Sequence, residues 1–177
     1  MSPSVSVQTM QGAVVFTDLV GFTEFTAVRG DLQALELLAR QETLVREALP
    51  DGARLVKDLG DGLLLWFPDA DGALVTCLDL QHRFEAEAEG TGLPLWVRIG
   101  LHWGSQTQRG EDIVGHDVNV AARIMTVAGP GEVLLSEASR GCLSAEHGVS
   151  FDELGPVVMK GLPGAVRLFR AWRSAPA

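Results

Sequence analysis

The 177-residue sequence has little cysteine, no long hydrophobic run and no signal-peptide pattern, and each of these features excludes a class of protein. Two isolated cysteines, Cys77 and Cys142, cannot provide the disulfide framework of a small secreted domain, so we expect reduced core thiols in a cytoplasmic protein. The longest strongly apolar run, 63–67, is far shorter than the roughly 20 residues that a membrane helix needs. The first eleven residues are polar and mixed, unlike a secretory leader.

Clusters of basic residues are also missing, and the formal net charge is −9. Binding to a nucleic acid backbone draws on clustered Lys and Arg side chains, so this balance argues against a nucleic acid partner. A small polyanionic substrate would have to arrive with its own metal ion. The length predicts one domain with a single core, which we place at 12–173 between flexible ends at 1–11 and 174–177.

The segment 13–23, AVVFTDLVGFT, is the most informative stretch of the sequence. It predicts a strand that ends near Asp18, a turn at Gly21 and then a helix start. A carboxylate at the end of a strand can hold a hard cation, and the N–H groups of 19–23 can face an anion, as metal-bound phosphate requires. An aspartate that only caps the next helix explains the same residues equally well.

Hydrophobic periodicity predicts the elements that follow. Asp31 is expected to cap a helix that ends near Leu49, and 54–59 and 63–67 read as a hairpin with a turn at 60–62. A helix over 69–90, a strand over 95–101 and a helix over 117–127 come next, separated by a loop or short hairpin at 104–115. Beyond them lie a small helix at 136–144 and short strands at 133–135, 151–154, 157–159 and 166–169. On the first long helix, the apolar stripe predicts that the following side chains face inward: Val28, Leu32, Leu35, Leu38, Val45 and Leu49.

This order of elements predicts an α/β fold of the α+β type, a ferredoxin-like βααββαβ sandwich with a C-terminal extension. We expect its helices on one face of a mostly antiparallel sheet, and the second face still to be covered. Such a topology makes the first strand and the hairpin neighbours, which would bring Asp18 close to Asp61. Two carboxylates there could hold a pair of divalent cations.

Four further residues are candidates for ligand contacts. Lys57 lies four residues before Asp61, about 13 Å along an extended strand, so the two cannot grip one small group. They serve opposite ends of one ligand or two copies of a site; alternatively, Lys57 is a solvated strand lysine and Asp61 an ordinary turn residue. Asn119 and Arg123 are one helical turn apart and could orient a ribose and neutralise phosphoryl charge, although such a pair is often a solvated face. Lys160 could contact phosphate or be a surface lysine.

Three segments taken together, FTDLVGFT at 16–23, KDLGDG at 57–62 and DIVGHDVNVAAR at 112–123, closely resemble the signature motifs of the class III nucleotidyl cyclases. The resemblance covers nearly the whole chain. It implies metal binding by Asp18, Leu19 and Asp61, and adenine recognition by Lys57 and Asp112. It also implies transition-state roles for Asn119 and Arg123, and substrate contacts by Lys160, Phe22 and Thr23.

The resemblance further implies conversion of ATP to 3′,5′-cyclic AMP and pyrophosphate with two Mg²⁺ or Mn²⁺ ions per site, which two antiparallel protomers of a homodimer share. Lysine and aspartate match the N1 and amino group of adenine and should reject guanine. His102 and His116 lie near the motifs, but a lone histidine is more often structural or exposed, so no general base is assigned. The polar segment 105–111, Val114 and His116 depart from the family pattern and leave dimer strength open.

Two other functions remain compatible with the residues: a catalytically silent cyclase-fold module that binds nucleotide or protein, and a cyclase for a pyrimidine nucleotide. The paired metal carboxylates argue against the first, and Lys57 with Asp112 argues against the second. Neither a sensor nor a coiled-coil segment accompanies the domain, so the sequence fits a bare cyclase or a part of a larger regulated protein.

Overall fold

A computed structural model describes residues 7–144 and 148–173. In chain order the elements begin with β1 (Gln8–Leu19), α1 (Phe22–Arg29), α2 (Asp31–Ala48), β2 (Arg54–Asp58), β3 (Gly62–Phe67) and α3 (Ala70–Thr91). They continue with β4 (Val97–Arg109), β5 (Asp112–Val114), α4 (His116–Val127), β6 (Val133–Ser136), α5 (Glu137–Gly141), β7 (Val149–Val158) and β8 (Ala165–Arg173).

All the strands join one sheet in the order β2-β3-β1-β4-β6-β8-β7, and β5 pairs with the outer end of β4. The β4–β6 pair is parallel and the other pairs are antiparallel. The four strands β2, β3, β1 and β4 with α2 and α3 form the ferredoxin-like unit, and β6, β8 and β7 extend its sheet. The predicted α+β fold is therefore confirmed.

Helices cover both faces of this sheet, whereas the sequence predicted helices on one face. Because side chains alternate along a strand, Val15 and Leu65 point into the large core under α2 and α3, while Val14 and Leu64 point to the opposite face. There they pack against Val118 and Ala121 of α4, and the other side of α4 packs on β6 and β8. The chain itself thus covers much of the second face.

Helix α4 lies close to the sheet because β4 carries glycine where the two elements cross. A Cβ atom built on Gly100 would lie 2.3 Å from the backbone nitrogen of Met125, far inside contact distance. Any larger side chain at Gly100 would push the helix away. This close approach fixes the height of α4, and with it the side chains on the outer surface of the helix.

The predicted apolar stripe of the first long helix is wrong in its first half. Val28, Leu32 and Leu35 are 80%, 84% and 61% exposed. The face that α2 buries is formed by Ala34, Leu37, Gln41, Leu44 and Val45. Gly30, with φ of 87°, separates α1 from α2 and serves as the N-cap in place of Asp31. A small and a polar residue occupy buried positions here, so a search for large apolar side chains selects the wrong face.

Smaller differences concern element ends. β1 begins at Gln8, so its first four residues lie in the segment 1–11 that the sequence set outside the domain. β4 continues to Arg109 and forms a hairpin with β5. β7 is one strand with a bulge between Glu153 and Gly155, where two strands were predicted.

The two cysteines lie in different environments. Both are free; Cys77 is buried and burial raises the pKa of its thiol, whereas Cys142 is exposed and not a core thiol as predicted. Among the residues with described structure, no helix is both long and apolar enough to cross a membrane.

Candidate active site

Two carboxylates meet at the end of β1. Asp18 is the penultimate residue of β1 and is in register with Gly62, the first residue of β3. Asp61 precedes Gly62 in the β2–β3 turn, and its carbonyl oxygen accepts a hydrogen bond of 2.9 Å from the N–H of Leu19. Burial raises the pKa of Asp18, and the two side chains are close enough for the charge of Asp61 to add to that shift. The structure therefore brings together the two acids that the sequence proposed as a pair.

Gly62 makes this approach possible. A Cβ atom at that position would lie 2.1 Å from the carbonyl oxygen of Thr17. The Thr17 hydroxyl accepts a hydrogen bond of 3.2 Å from the N–H of Leu63, and the amide of the buried Gln41 donates to the same hydroxyl. Backbone contact and a buried hydroxyl thus hold the tip of the hairpin, which carries Asp61, against the end of β1.

Arg98 is a site residue that the sequence reasoning missed. It stands opposite Asp18 in the β1–β4 register, and its Nε and a terminal nitrogen lie 3.0 and 2.8 Å from Oδ2 of Asp18. Its second terminal nitrogen donates to the carbonyl oxygen of Thr126 in α4. Burial raises the pKa of Asp18, Arg98 opposes that shift, and Asp61 adds to it. Strand pairing could have predicted this contact, because pairing β1 with β4 in this register places Arg98 directly opposite Asp18.

The β1–α1 turn offers fewer N–H groups to an anion than the sequence suggested. The N–H groups of Leu19 and Val20 donate to the carbonyl oxygens of Asp61 and Trp96, so neither faces a ligand. Gly21, with φ of 76°, is the N-cap of α1 and no side chain caps the helix, which excludes Asp18 as its cap. The first-turn amides of Phe22 and Thr23 lack acceptors within their helix, as at any helix start.

Side-chain burial limits how two of these predicted residues, Leu19 and Phe22, could act. Leu19 is only 3% exposed, so its backbone alone could reach a cation. The ring of Phe22 packs against the core, so a substrate contact there would also come from the backbone. Thr23 is exposed at the start of α1.

Lys57 and Asp112 form a salt bridge, with 2.9 Å between Nζ and Oδ2. Lys57 lies in β2 and Asp112 begins β5, and both side chains are partly exposed. Slight burial of Asp112 tends to raise the pKa of its carboxyl group. The hydrogen bonds from Lys57 and from the N–H of Ile113 outweigh this effect, so the pKa of Asp112 is lowered. One donor and one acceptor are therefore fixed side by side at the rim of a cleft.

Asn119 and Arg123 lie on the outer surface of α4 and line that cleft. Lys57 and Asn119 line a part of about 620 Å³, and Asn119 and Arg123 line an adjoining part of about 480 Å³. Phe16, Leu59 and His116 border both parts. His116 is exposed at the first position of α4, as expected for a histidine without a structural role.

Lys160 lies in the turn between β7 and β8, at the rim of the same cleft. It is exposed. The next residue, Gly161, lines the cleft, and a Cβ built on it would lie 3.9 Å from a terminal nitrogen of Arg123. The fold thus brings this late segment beside α4.

The predicted site residues form two groups within one chain. Lys57, Asn119 and Arg123 line the cleft on the α4 face, and Asp112 is tied to it through Lys57. Asp18 and Asp61 lie at the strand ends and line neither part of it. Within the ranges 7–144 and 148–173, no three acidic, histidine or cysteine side chains gather into a ready-made metal site.

The acidic pair nevertheless fits a hard divalent cation. Carboxylate oxygens are the ligands that Mg²⁺ and Mn²⁺ prefer. Burial is the main cause of the raised pKa of Asp18 and the charge of Asp61 adds to it, and a cation between the two groups would relieve this second effect. Further ligands would come from the backbone, from water or from substrate phosphate.

The family model for the adenylate and guanylate cyclase catalytic domain matches residues 5–170. The chain therefore belongs to that family, as the resemblance of its three motifs indicated. It is 33% identical over 168 residues to the pH-sensitive adenylate cyclase of Mycobacterium tuberculosis, covering 93% of this chain and 41% of that protein. It is 36% identical over 126 residues to an adenylate cyclase of Streptomyces griseus, covering 71% of this chain and 31% of that protein.

Solved structures agree with the fold. The adenylyl cyclase CyaB of P. aeruginosa superposes with a TM-score of 0.83 at 22% identity and covers 96% of this chain and 97% of that one. An adenylate cyclase of Trypanosoma brucei, solved in its monomeric state, superposes with a TM-score of 0.77 at 24% identity, with coverage of 91% and 87%. At these identities the likeness concerns the fold. The chain spans less than half the length of the two bacterial relatives above.

Proposed function

We propose that this chain is an adenylate cyclase domain that converts ATP to 3′,5′-cyclic AMP and pyrophosphate at sites shared between two copies of the chain. The observation that carries the proposal is the Lys57–Asp112 salt bridge at the rim of a cleft lined by Asn119 and Arg123. The family includes both adenylate and guanylate cyclases. The choice of substrate therefore depends on the residues that read the base.

The pair matches the edge of adenine. Adenine offers an acceptor at N1 and a donor at its exocyclic amine, so Lys57 donates to the first and Asp112 accepts from the second. Guanine presents a protonated N1 and a carbonyl oxygen, which would set donor against donor and acceptor against acceptor. Relatives named adenylate cyclase in Mycobacterium and Streptomyces support the same choice.

The remaining residues take roles that follow from their positions. Asp18 and Asp61, with the backbone of Leu19, would hold two Mg²⁺ or Mn²⁺ ions, and bound ions would supply acidification of the 3′-hydroxyl and positive charge for the phosphates. Phe22 and Thr23 offer first-turn N–H groups to a phosphate. Asn119 orients the ribose, Arg123 stabilises the charge that develops at the α-phosphoryl group, and Lys160 contacts the triphosphate. The attacking 3′-oxygen displaces pyrophosphate, so its proton leaves to solvent or phosphate.

A shared site explains why these residues form two groups. Asp18 and Asp61 lie at the strand ends and are not among the residues that line the cleft of Lys57, Asn119 and Arg123. We infer that the acids of one protomer meet the cleft of its partner in an antiparallel homodimer. A two-fold axis then generates two equivalent sites, and each β2–β3 hairpin contributes Lys57 to one and Asp61 to the other.

A substrate survey tests the proposal. The purified domain is incubated with each of ATP, GTP, CTP and UTP in the presence of Mn²⁺ or Mg²⁺, and cyclic products are identified by mass spectrometry. The proposal predicts cyclic AMP, with kcat/KM for ATP at least 100-fold above that for GTP. A cyclic pyrimidine product would identify a different cyclase, and ATP binding without turnover would identify a silent module. Either result overturns the proposal.

A further inference from the structure

A buried hydrogen-bonded chain runs from the first turn of α4 through β4 and β6 to α5, and none of its members has a role assigned above. His102 lies in the middle of β4 and is 8% exposed. Its Nε2 is 3.0 Å from Oδ1 of Asp117 in the first turn of α4, and its Nδ1 is 2.6 Å from the Ser136 hydroxyl at the end of β6. The Ser136 hydroxyl in turn lies 2.9 Å from that of Ser139 in α5. Both ring nitrogens are thus engaged.

Asp117 ties the start of α4 to β4. Its second carboxylate oxygen accepts a hydrogen bond of 2.8 Å from the N–H of Ser105, and Gly104 leaves room for it, since a Cβ there would lie 2.3 Å from the Asp117 carboxyl carbon. The N-cap of α4, Gly115, provides no side-chain cap. With Gly100 against Met125 at the other end, α4 contacts the β4 backbone near both ends.

The direction of the hydrogen bonds follows from the partners. A carboxylate only accepts, so Nε2–H of His102 donates to Asp117, and the neutral ring then accepts at Nδ1 from the Ser136 hydroxyl. Burial lowers the pKa of His102 although Asp117 opposes that shift, which keeps the ring neutral at pH 7. The pKa of Asp117 is lowered, because the Ser105 N–H and His102 outweigh the effect of its burial.

We propose that His102 is a positioning residue: through Asp117 it fixes the start of α4 on the sheet and thereby places Asn119 and Arg123 for the reaction. This inference rests on the proposed function. Asn119 is two residues beyond Asp117, and the first-turn bond from its N–H to the carbonyl oxygen of Gly115 is 3.2 Å. The contacts of Gly100 and Gly104 set the distance of α4 from the sheet. The hydrogen bonds of Asp117 set the rotation of α4 about its own axis and its position along that axis. Errors of about 1 Å in such placement cost about 100-fold in rate.

The test compares three variants of the domain. His102→Leu removes the two hydrogen bonds that the ring makes with Asp117 and Ser136. His102→Gln keeps an N–H donor for Asp117 but has no titrating ring. Leu101→Ala is the matched control, because Leu101 is the neighbouring β4 residue, 1% exposed, and points into the core under α3 rather than towards α4. It reports the effect of a destabilised β4 alone. All are measured well below their Tm.

If the proposal is right, His102→Leu lowers kcat by about 10- to 100-fold with KM for ATP changed less than threefold, and His102→Gln recovers most of the loss. Leu101→Ala lowers Tm by at least as much as His102→Leu does, and its kcat stays within threefold of that of the parent. An equal loss of kcat in the Leu101 and His102 variants, or no recovery with glutamine, would overturn it.

Hydrogen exchange separates this inference from the proposed function. In His102→Leu, the amide of Ser105, which donates to Asp117, and the amides at 119–122, the first in α4 with an acceptor one turn back, should exchange at least tenfold faster than in the parent, while those of α3 keep their rates. If the parent makes no cyclic AMP, the proposed function fails and this measurement still decides whether His102 positions α4. Unchanged exchange of these amides would show that it does not.

Discussion

Lys57 and Asp112, 55 residues apart in the chain, meet in a salt bridge of 2.9 Å at the rim of the cleft. The donor and acceptor proposed for adenine are therefore held at a fixed spacing by β2 and β5 before any base arrives. Each side chain also keeps exposed surface that a base edge could contact. Preorganisation of this kind favours discrimination between bases.

Lys57→Met is expected to lower kcat/KM for ATP by about 10- to 100-fold, the range for loss of a hydrogen bond to a charged group. It should also reduce the preference for ATP over GTP, because the donor that repels the protonated N1 of guanine is gone. Initial rates with both nucleotides measure the effect. Arg54→Met is the matched control, since Arg54 is a β2 cation that donates to the carbonyl of Glu111 instead, and we expect a change below threefold. If the Lys57 variant keeps the full preference for ATP over GTP, Lys57 does not take part in base recognition.

The raised pKa of Asp18 predicts a pH-dependent stability. A carboxyl that binds its proton more tightly in the folded chain than in the unfolded one makes the free energy of unfolding fall as pH rises from 3.8 through the folded pKa. Asp18→Asn cannot ionise, so without added metal its Tm at pH 7 should equal or exceed that of the parent. The difference should disappear below about pH 4.

Thermal unfolding between pH 3.5 and 8 in EDTA measures this difference, with Asp51→Asn as the matched substitution at an exposed aspartate. Added Mn²⁺ should raise the Tm of the parent and not that of Asp18→Asn. A variant that is clearly less stable than the parent at pH 7 would contradict this prediction.

Arg123→Ala should lower kcat by about 100- to 1000-fold with little change in KM, as expected for a group that binds charge developing in the transition state. Arg123 is part-buried beside Gly161, so a lysine at this position can recover only part of the activity. Arg46→Ala on the exposed side of α2 is the matched control and should retain full activity. A rise in KM at unchanged kcat would assign Arg123 to substrate binding alone.

Gly62→Ala should separate the acidic pair. Its Cβ would meet the carbonyl oxygen of Thr17 at 2.1 Å, so the hairpin must move and Asp61 with it. We expect a loss of about 1 to 3 kcal/mol in stability and at least a tenfold loss of cyclase activity. Gly90→Ala in α3 meets nothing within 4 Å and should be neutral or slightly stabilising. Chemical denaturation with parallel assays distinguishes the two; full activity in Gly62→Ala would mean that the hairpin position does not matter.

The sequence was sufficient for the features that short-range patterns encode. The hairpin around Asp61 and the helix that carries Asn119 and Arg123 follow from local periodicity and turn residues, and pairing of β1 with β3 follows from the fold class. Features set by packing could not be read in this way. Gln41 is buried because it reaches the Thr17 hydroxyl, and only the three-dimensional neighbours reveal that.

Arg98 and the second face of the sheet illustrate the same limit. The pairing of Arg98 with Asp18 depends on the register of two strands 80 residues apart. Helix α4 covers the second face because Gly100 and Gly104 admit its backbone and its Asp117 side chain, a fit that no single-residue propensity expresses.

Subunit complementation tests the shared site most directly. Asp18→Asn and Arg123→Ala should each be inactive, yet a mixed dimer carries one site with both defects and one site with neither. Mixing equal amounts of the two purified variants, with time for exchange, should therefore restore up to about a quarter of the parent's cyclic AMP formation. Activity that stays at the sum of the separate variants, in a mixture shown by mass spectrometry to contain mixed dimers, would contradict a site built from two protomers.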